Sequence, residues 1–481
     1  MIGTTGLVFN EPLLWELGAP GREAYSLPSR EVPEHPVDPA LTGPGPDFPD
    51  LSEPELVRHY TRLSQWNLSV DSSMYPLGSC TMKYNPKTNE RQASLPGIAN
   101  AHPLLPDDLA QGLLRLIFDL ERWLAEITGL PAVSLQPAAG AQGELTGMLI
   151  FYAHHAALGR PRTKILIPDT AHGTNPASAA LCGFTAVPVP SGPQGILTLQ
   201  TVADRMDDDT AGIMVTNPNT LGLFEENIRQ VADAVHAKGG LVYADGANMN
   251  AVLGVVDMGA MGVDVLHLNL HKTFSTPHGG GGPGAGPVCV TRALEPYLPV
   301  PRVAREGSRF TWRDDYPSSV GRLHAFYGNF GILTRAYSYI LSLGAELARV
   351  SRLAVLNANY IQAGLKADYH LPHDRPCMHE CVFTDKRQQA HKVSALDIAK
   401  RLIDYGFHPP TIYFPLVVNG ALMIEPTESE TKETLDQFIA ALRAIAREAE
   451  QKPELLHQAP HHAKLRRLDE VTAARKPCLM G

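Results

Sequence analysis

The chain has 481 residues, of which 44% are apolar and 19% charged, a composition typical of packed globular proteins. The net charge of −9 argues against nucleic acid as the main partner. No apolar run reaches about 18 residues and the chain start lacks a basic segment, so we expect no membrane span, no secretory signal and a cytoplasmic enzyme. Six cysteines in a chain of this length do not indicate a disulfide scaffold.

The first 50 residues contain nine prolines, a density that disfavours helix and predicts an extended arm. Apolar side chains around Leu13 and Trp15 could anchor this arm on another surface. A loop-rich stretch at 72–83 follows. Leucines then recur at helical spacing from Leu109 to Leu124, and Gly129 is expected to end the helix.

Short apolar runs next alternate with helical patterns such as 226–238. Continuous apolar strands separated by helices predict an α/β fold with a mainly parallel sheet covered on both faces. Ligands of such sheets bind at the carboxyl ends of the strands, where Thr216, Asp245 and Lys272 fall. The predicted strands are 164–167, 185–189, 212–216, 240–245, 263–269 and 287–291.

After about residue 340 the pattern changes to strand 380–384, helix 393–405, strand 422–425 and helix 432–448, which predicts a smaller C-terminal α+β domain. We therefore predict an N-terminal arm with an active-site loop, a large domain, a small domain and a C-terminal tail. Their predicted bounds are 1–95, 96–340, 341–450 and 451–481.

Lys272 and Asp245 form the most informative pair in the sequence. An apolar strand delivers Lys272 into a glycine-rich loop, where an amine can hold an aldehyde cofactor as a Schiff base. Another apolar strand ends on Asp245, which could protonate a pyridine nitrogen, although a strand-end aspartate can also cap a helix. Together they indicate pyridoxal 5'-phosphate (PLP), and we expect no metal at the site.

Three further segments are candidates for contacts with this cofactor. Ala139, Gly140 and Ala141 begin a helix and could cradle a phosphate, or form a tight turn that binds nothing. His172 stands in a turn where its ring could stack on a flat cofactor, or serve only as a surface residue. Thr216 and Asn217 could reach a phenolic oxygen or form an ordinary Asn-Pro turn. Ala247 is small enough to leave room for a ring, and His271 adjoins Lys272.

Rival motifs are weaker. Gly279, Gly281 and Gly284 match the spacing of a dinucleotide-binding loop, but prolines interrupt it and a strand follows. His267 and His271 would lie about 13 Å apart on a strand, too far to share one ion. The segment 377–381 carries two cysteines that could bind a metal or form a disulfide, and two reduced thiols are the favoured interpretation.

A set of longer segments carries a family resemblance: LNLHKTF (268–274) with PHGGGGPG (277–284), MYPLGSCTMK (74–83), GAQGE (140–144), AHGTNPAS (171–178) and MIEPTESE (423–430). Through these segments the chain resembles the P-protein family of the glycine cleavage system over roughly residues 70–450. The resemblance implies fold-type I PLP architecture. In such a protein Lys272 resembles the Schiff-base lysine, Asp245 the pyridine partner, His172 the stacking ring, and residues 139–142 the phosphate cradle.

The family occurs as one long chain with two homologous halves or as two subunits. The length and the presence of Lys272 resemble the PLP-carrying second subunit, which implies a homologous lysine-lacking partner and two copies of each chain. The implied reaction, that of glycine dehydrogenase (aminomethyl-transferring), is decarboxylation of glycine with transfer of the aminomethyl group to the lipoyl arm of H-protein. Lys272 and His172 are the expected acid–base groups.

Two alternatives stay open at this point: another fold-type I enzyme, such as an aminotransferase or amino-acid decarboxylase, and a non-catalytic scaffold subunit. The residues that bind the glycine carboxylate are not distinguished by sequence. Five arginines near the end of the large domain are available, namely Arg302, Arg305, Arg309, Arg313 and Arg322.

Overall fold

The computed structural model describes residues 11–24, 28–29, 31–278 and 284–479. The chain divides into two compact units, one formed by residues before 73 with those after 461, the other by residues 73–461. In chain order the helices are α1 (Leu14–Leu17), α2 (Glu53–Ser64), α3 (Lys87–Ala93), α4 (Pro96–Ala99), α5 (Gln111–Thr128), α6 (Gly140–Ala157), α7 (Thr174–Leu181), α8 (Leu199–Ala203), α9 (Ile228–Ala237), α10 (Leu270–Thr273), α11 (Phe330–Leu343), α12 (Leu347–Leu365), α13 (Ala395–Asp404), α14 (Lys432–Gln451), α15 (Glu454–His457) and α16 (Glu470–Arg475). The strands are β1 (Ala132–Ser134), β2 (Lys164–Pro168), β3 (Thr185–Val189), β4 (Thr210–Thr216), β5 (Leu241–Gly246), β6 (Val265–Leu268), β7 (Val288–Val290), β8 (Arg302–Glu306), β9 (Arg309–Arg313), β10 (Cys381–Thr384), β11 (Thr411–Ile412) and β12 (Ala421–Ile424).

The first unit contains α1, α2 and α16. Its proline-rich stretch is extended apart from a short 3₁₀ helix at Pro39–Leu41, because proline removes backbone donors. The chain entering this unit is fixed at Glu11, whose carboxylate accepts a hydrogen bond from Arg62 Nη2 at 2.6 Å and lies 2.8 Å from His59 Nδ1. Trp15 is exposed, and its indole N–H donates to the carbonyl of Asp47.

The second unit is built around a seven-stranded sheet with the order β1-β7-β6-β5-β4-β2-β3. Strands β2 to β6 pair in parallel, whereas β7 runs antiparallel to both β6 and β1. Every residue of β4 and β5 is buried, as expected for strands covered on both faces. All six strands predicted between residues 164 and 291 are present, and the predicted fold class is confirmed.

The helix predicted from the leucine repeat is α5, and it ends at Gly129 with φ of +72°, a conformation that favours glycine. Leu109 is not part of this helix. It belongs to a preceding 3₁₀ turn at Asp107–Leu109 and is 71% exposed, because the helix begins only at Gln111. Strand β1 and the hairpin of β8 and β9 were not predicted from the sequence.

Residues after α12 form a three-stranded antiparallel sheet with the order β10-β12-β11, against which α13 and α14 pack. Their apolar side chains form a hydrophobic cluster of their own, which also includes Met74. The four elements predicted after residue 340 are therefore present as β10, α13, β12 and α14. The predicted domain bounds themselves stay predictions.

Among the described residues no helix is both long enough and apolar enough to cross a lipid bilayer.

Candidate active site

The strand ends of the large sheet place three predicted site residues at one edge. Thr216 ends β4 and pairs in register with Asp245 near the end of β5. Asp245 in turn pairs with His267 on β6. Because these three strands are parallel, their carboxyl ends meet, and the chain then turns through α10 to present Lys272.

A cavity of about 230 Å³ lies at this edge. The predicted site residues on its wall are Ala139, Gly140, Ala141, His172, Thr216, Asp245, Ala247, His271 and Lys272. Asn217 is not among the lining residues, because its carboxamide oxygen instead accepts a hydrogen bond from the Glu225 backbone N–H at 3.0 Å. The wall also contains Ser79, Glu144, Thr174, Thr220, Asn248 and Asn269, which the sequence did not single out.

Lys272 is partly buried, and its Nζ donates to the carbonyl oxygen of Ser79 at 2.8 Å. Ser79 belongs to the loop at 74–83, which is remote in sequence and reaches the cavity through the fold. The glycine run that follows Lys272 at 279–283 lies outside the described residues.

Asp245 is only 3% exposed, and its Oδ1 accepts a hydrogen bond from the backbone N–H of Ala247 at 2.9 Å. His267 Nε2 lies 3.4 Å from the same oxygen, and His267 Nδ1 contacts the hydroxyl of Tyr243. Burial lowers the pKa of His267, although the Asp245 carboxylate acts in the opposite direction. A buried, neutral imidazole thus lies beside Asp245, and its Nε2 also lies 3.2 Å from Asn269 Nδ2.

The amino end of α6 forms another wall. Ala139 precedes the helix in extended conformation, and no described side chain caps it. The first N–H groups of an α-helix have no partner within the helix, so they can bind an anion. A Cβ atom at Gly140 would lie 2.3 Å from Asn269 Oδ1, so a larger residue there requires the Asn269 carboxamide to move.

Glu144 lies one turn into α6 and faces the cavity. Burial, and then the nearby Asp245 carboxylate, raise its pKa to about 8. Thr174 Oγ1 donates to Glu144 Oε1 at 2.8 Å. Glu144 therefore carries a proton at neutral pH and adds no second negative charge beside Asp245.

The two histidines of the wall are held neutral. Partial burial and then the Lys272 ammonium lower the pKa of His172, whose Nδ1 lies 3.2 Å from Thr174 Oγ1. The pKa of His271 falls to about 3, with burial the largest cause, followed by His278 and Lys272. Each neutral ring can therefore accept a hydrogen bond through one nitrogen or lie against an uncharged ring.

Several buried polar atoms of the wall have no hydrogen-bond partner among the described residues. They are Thr216 Oγ1, Asn248 Oδ1 and His271 Nδ1. Buried polar groups are normally paired, so these atoms are suited to a polar ligand.

The five arginines that could bind a carboxylate lie elsewhere. None of them lines the cavity. The partners of Arg302, Arg305, Arg309, Arg313 and Arg322 are, in that order, Glu295, the Gly307 carbonyl, Asp108, Glu306 and Asp314.

Comparison with known proteins agrees with this architecture. A family model described as "Glycine dehydrogenase, C-terminal domain" matches residues 350–463, and one described as "Aminotransferase class-V" matches residues 146–295. The probable glycine dehydrogenase (decarboxylating) subunit 2 of Caldanaerobacter subterraneus subsp. tengcongensis is 54% identical over 474 residues, covering 97% of this chain and 98% of the relative. The protein of the same name from Halalkalibacterium halodurans is 54% identical over 477 residues, covering 98% of each.

Solved structures support the fold. A crystal structure of glycine decarboxylase (P-protein) of the glycine cleavage system, in inhibitor-bound form, superposes with a TM-score of 0.72 at 20% identity, covering 84% of this chain and 92% of that chain. A sphingosine-1-phosphate lyase from Burkholderia pseudomallei superposes with a TM-score of 0.63 at 16% identity, covering 86% and 95%.

The sheet, its strand-end cavity and the class-V aminotransferase match define a PLP-dependent enzyme of fold type I. The chain belongs to the family of glycine dehydrogenase (decarboxylating) subunit 2. The predictions of PLP as cofactor and of a glycine-decarboxylating enzyme of the glycine cleavage system are confirmed. The name of the relatives, subunit 2, implies a partner subunit.

Proposed function

We propose that this chain decarboxylates glycine with PLP and passes the aminomethyl group to the lipoyl arm of H-protein, releasing carbon dioxide. The partner is a homologous lysine-lacking subunit, in a complex with two copies of each chain, and the location is the cytoplasm. The observation that carries the proposal is the shared cavity of Lys272, Asp245 and the amino end of α6.

The wall residues fit PLP at each of its polar ends. The uncapped amino end of α6 at Gly140 and Ala141 suits a phosphate. Asp245 suits a protonated pyridine nitrogen, and Lys272 suits the aldehyde. Thr216 Oγ1, buried and without a described partner, suits the phenolic oxygen.

When bound, PLP supplies an electron sink for the carbanion left by decarboxylation. The chain's own residues maintain that property. Asp245 holds a proton on the pyridine nitrogen, while the Ala247 backbone N–H bonds its Oδ1 and His267 Nε2 lies 3.4 Å from the same oxygen. Glu144, protonated at neutral pH, adds no second negative charge beside Asp245.

Proton transfer is assigned to two groups that face the same cavity. Lys272 Nζ can give or take a proton once it is free, and Ser79 accepts its hydrogen bond in that state. His172, which lines the cavity and is neutral because of burial and the nearby ammonium, is the second group assigned to proton transfer. Each such group contributes about 10²- to 10⁴-fold to a rate.

The test is exchange of labelled bicarbonate into the glycine carboxyl group by the complex of this chain with its partner subunit. We expect exchange that depends on lipoylated H-protein, and loss of both exchange and PLP absorbance in Lys272→Ala. Full exchange by Lys272→Ala would reject the assignment. Exchange that is indifferent to H-protein would point to another fold-type I decarboxylase.

A further inference from the structure

The turn at residues 79–81 is strained. Ser79 has φ of +68° and Thr81 has φ of +47°, in the left-handed region that residues with a side chain rarely adopt. Such a conformation persists only where surrounding contacts impose it. The turn lines the cavity through Ser79, so whatever imposes its shape also shapes the site.

Two fully buried carboxyl groups from the C-terminal part of the chain accept hydrogen bonds from this turn. Glu380 Oε2 accepts a hydrogen bond from the Ser79 N–H at 2.9 Å. Glu425 Oε2 accepts from the Thr81 N–H at 3.0 Å, and Glu425 Oε1 accepts from Thr81 Oγ1 at 2.6 Å. Both glutamates are 0% exposed, so no solvent competes for these bonds.

The carbonyl group that accepts a hydrogen bond from Lys272 lies between the N–H groups of Ser79 and Thr81 along the backbone. The Ser79 carbonyl oxygen accepts from Lys272 Nζ at 2.8 Å. Because the N–H groups on both sides are held, the direction of this carbonyl is fixed relative to the cavity.

His379 completes the buried cluster, but the spacing disfavours a zinc centre. Its Nε2 lies 3.9 Å from Glu380 Oε2 and 4.0 Å from Glu425 Oε1. Ligand atoms about 2.0 to 2.2 Å from one tetrahedral zinc ion lie only about 3.3 to 3.6 Å apart. Both oxygens of Glu425 are moreover already bonded to Thr81.

The cluster is electrostatically linked to Lys272. Burial and then the neighbouring Glu425 raise the pKa of Glu380, whereas burial raises that of Glu425 to about 7. The Lys272 ammonium acts in the opposite direction on both carboxyls. A charged, free Lys272 therefore favours ionised carboxylates, which are the stronger acceptors for the turn.

We propose that Glu380 and Glu425 are positioning residues for Lys272. They hold the 79–81 turn so that the Ser79 carbonyl receives the lysine amine whenever it is not bonded to the cofactor. The inference rests on the proposed role of Lys272 as the PLP lysine. It assigns a function to the MIEPTESE and 377–381 segments, which contribute no residue to the cavity wall themselves.

The experiment uses the full chain with Glu425→Gln and Glu380→Gln, and with Glu430→Gln as the matched control. Glu430 lies in the same segment as Glu425, burial raises its pKa to about 7, and its side chain is not bonded to the turn. Hydrogen exchange of the peptide containing 79–81 is measured without cofactor. The rate at which PLP bonds to Lys272 is followed by absorbance, and affinity is measured for pyridoxamine 5'-phosphate, which has no aldehyde to bond the lysine.

We expect faster exchange at 79–81 and about 10- to 100-fold slower bonding of PLP in Glu425→Gln, with pyridoxamine 5'-phosphate affinity within about twofold of the parent. The effect in Glu380→Gln should be smaller, since Glu380 uses one oxygen for the turn and an amide keeps that acceptor. Glu430→Gln should match the parent in all three measurements. If Glu425→Gln does not fold, Thr81→Val removes the Oγ1 bond from the other side and should change the same measurements in the same direction.

Unchanged exchange and bonding rates in both variants would overturn the proposal. An equal loss of pyridoxamine 5'-phosphate affinity would do so too, because it would mean general damage to the cavity. A stoichiometric divalent metal in the parent that is lost in Glu380→Gln would replace positioning with metal binding. None of these measurements requires glycine turnover, so their failure is separate from failure of the proposed reaction.

Discussion

The imidazole Nε2 of His267 lies 3.4 Å from the carboxylate Oδ1 of Asp245, with both side chains buried on neighbouring parallel strands. His267 also contacts the Tyr243 hydroxyl, so its ring is fixed on two sides. The Asp245 carboxylate is buried and accepts a hydrogen bond from the Ala247 backbone N–H, so protein groups and not solvent orient it.

His267→Ala should weaken PLP binding, because Asp245 loses the imidazole that lies 3.4 Å from its Oδ1. Leaving a buried polar group unpaired costs about 1 to 3 kcal/mol, or about 5- to 150-fold in affinity. Fluorescence titration with PLP measures it. His236→Ala, which removes a half-exposed histidine paired with Asp264, is the control and should keep the parent affinity. Equal affinities for the two variants would contradict a role for His267.

Gly140→Ala should weaken PLP binding, since the added Cβ would meet Asn269 Oδ1 at 2.3 Å, so that either this carboxamide of the cavity wall or the start of α6 must shift. Overpacking of this kind costs about 1 to 3 kcal/mol. Gly112→Ala is matched to it, because Gly112 also lies in the first turn of a helix and a Cβ there meets nothing within 4 Å. The control should be neutral or stabilising by up to about 1 kcal/mol. Cofactor titration and thermal unfolding of both variants decide the point.

Glu144→Gln should remove a pH dependence of stability. The folded chain raises the pKa of Glu144 from 4.5 to about 8. Between these values the unfolded chain has lost the proton while the folded chain keeps it, so the free energy of unfolding falls as pH rises. Below the lower value the two states do not differ. The stability of Glu144→Gln relative to the parent should thus increase from pH 5 to pH 8.

Denaturant unfolding of the cofactor-free chains at the two pH values measures this difference. Glu126→Gln, at an exposed position of α5, is the control and should show no such trend. A constant difference between Glu144→Gln and the parent would mean that Glu144 is ionised at neutral pH.

Lys83→Ala should destabilise the second unit strongly. Lys83 is 3% exposed, and its Nζ donates to Glu428 at 2.7 Å, Asn250 at 2.9 Å and Tyr339 at 3.2 Å. Removing one partner of a buried ion pair costs about 3 to 5 kcal/mol. Lys432→Ala breaks the exposed pair with Asp436 and should cost much less stability, because solvent screens that pair. Similar losses in both would show that the buried pair is not important.

The sequence predicted the strands and the residues at their ends because both follow from local pattern. An apolar run that ends in a charged residue carries Asp245 and Lys272 to the edge of the sheet in any parallel arrangement. The same pattern predicted a cofactor contact for Asn217. Its side-chain oxygen instead accepts a hydrogen bond from the backbone N–H of Glu225, eight residues further along the chain.

The groups that were missed depend on contacts between distant segments. His267 was considered only as a metal ligand, and its contact with Asp245 requires the register of β5 and β6. Glu144 could have been suspected because it is the one acidic residue of α6 and lies one turn after the predicted phosphate cradle. Nothing local could reveal that Ser79 meets Lys272, since 193 residues separate them.

The hydrogen bonds from the 79–81 turn to Glu380 and Glu425 also have a consequence for synthesis of the protein on the ribosome. Ser79 and Thr81 are synthesised early, but the glutamates that hold them lie 301 and 344 residues further along the chain. A growing chain that already contains Lys272 therefore has a reactive amine without the turn that directs it. If the two glutamates position Lys272 as proposed, we expect rapid bonding of the cofactor only after Glu425 has emerged and the small antiparallel sheet has formed.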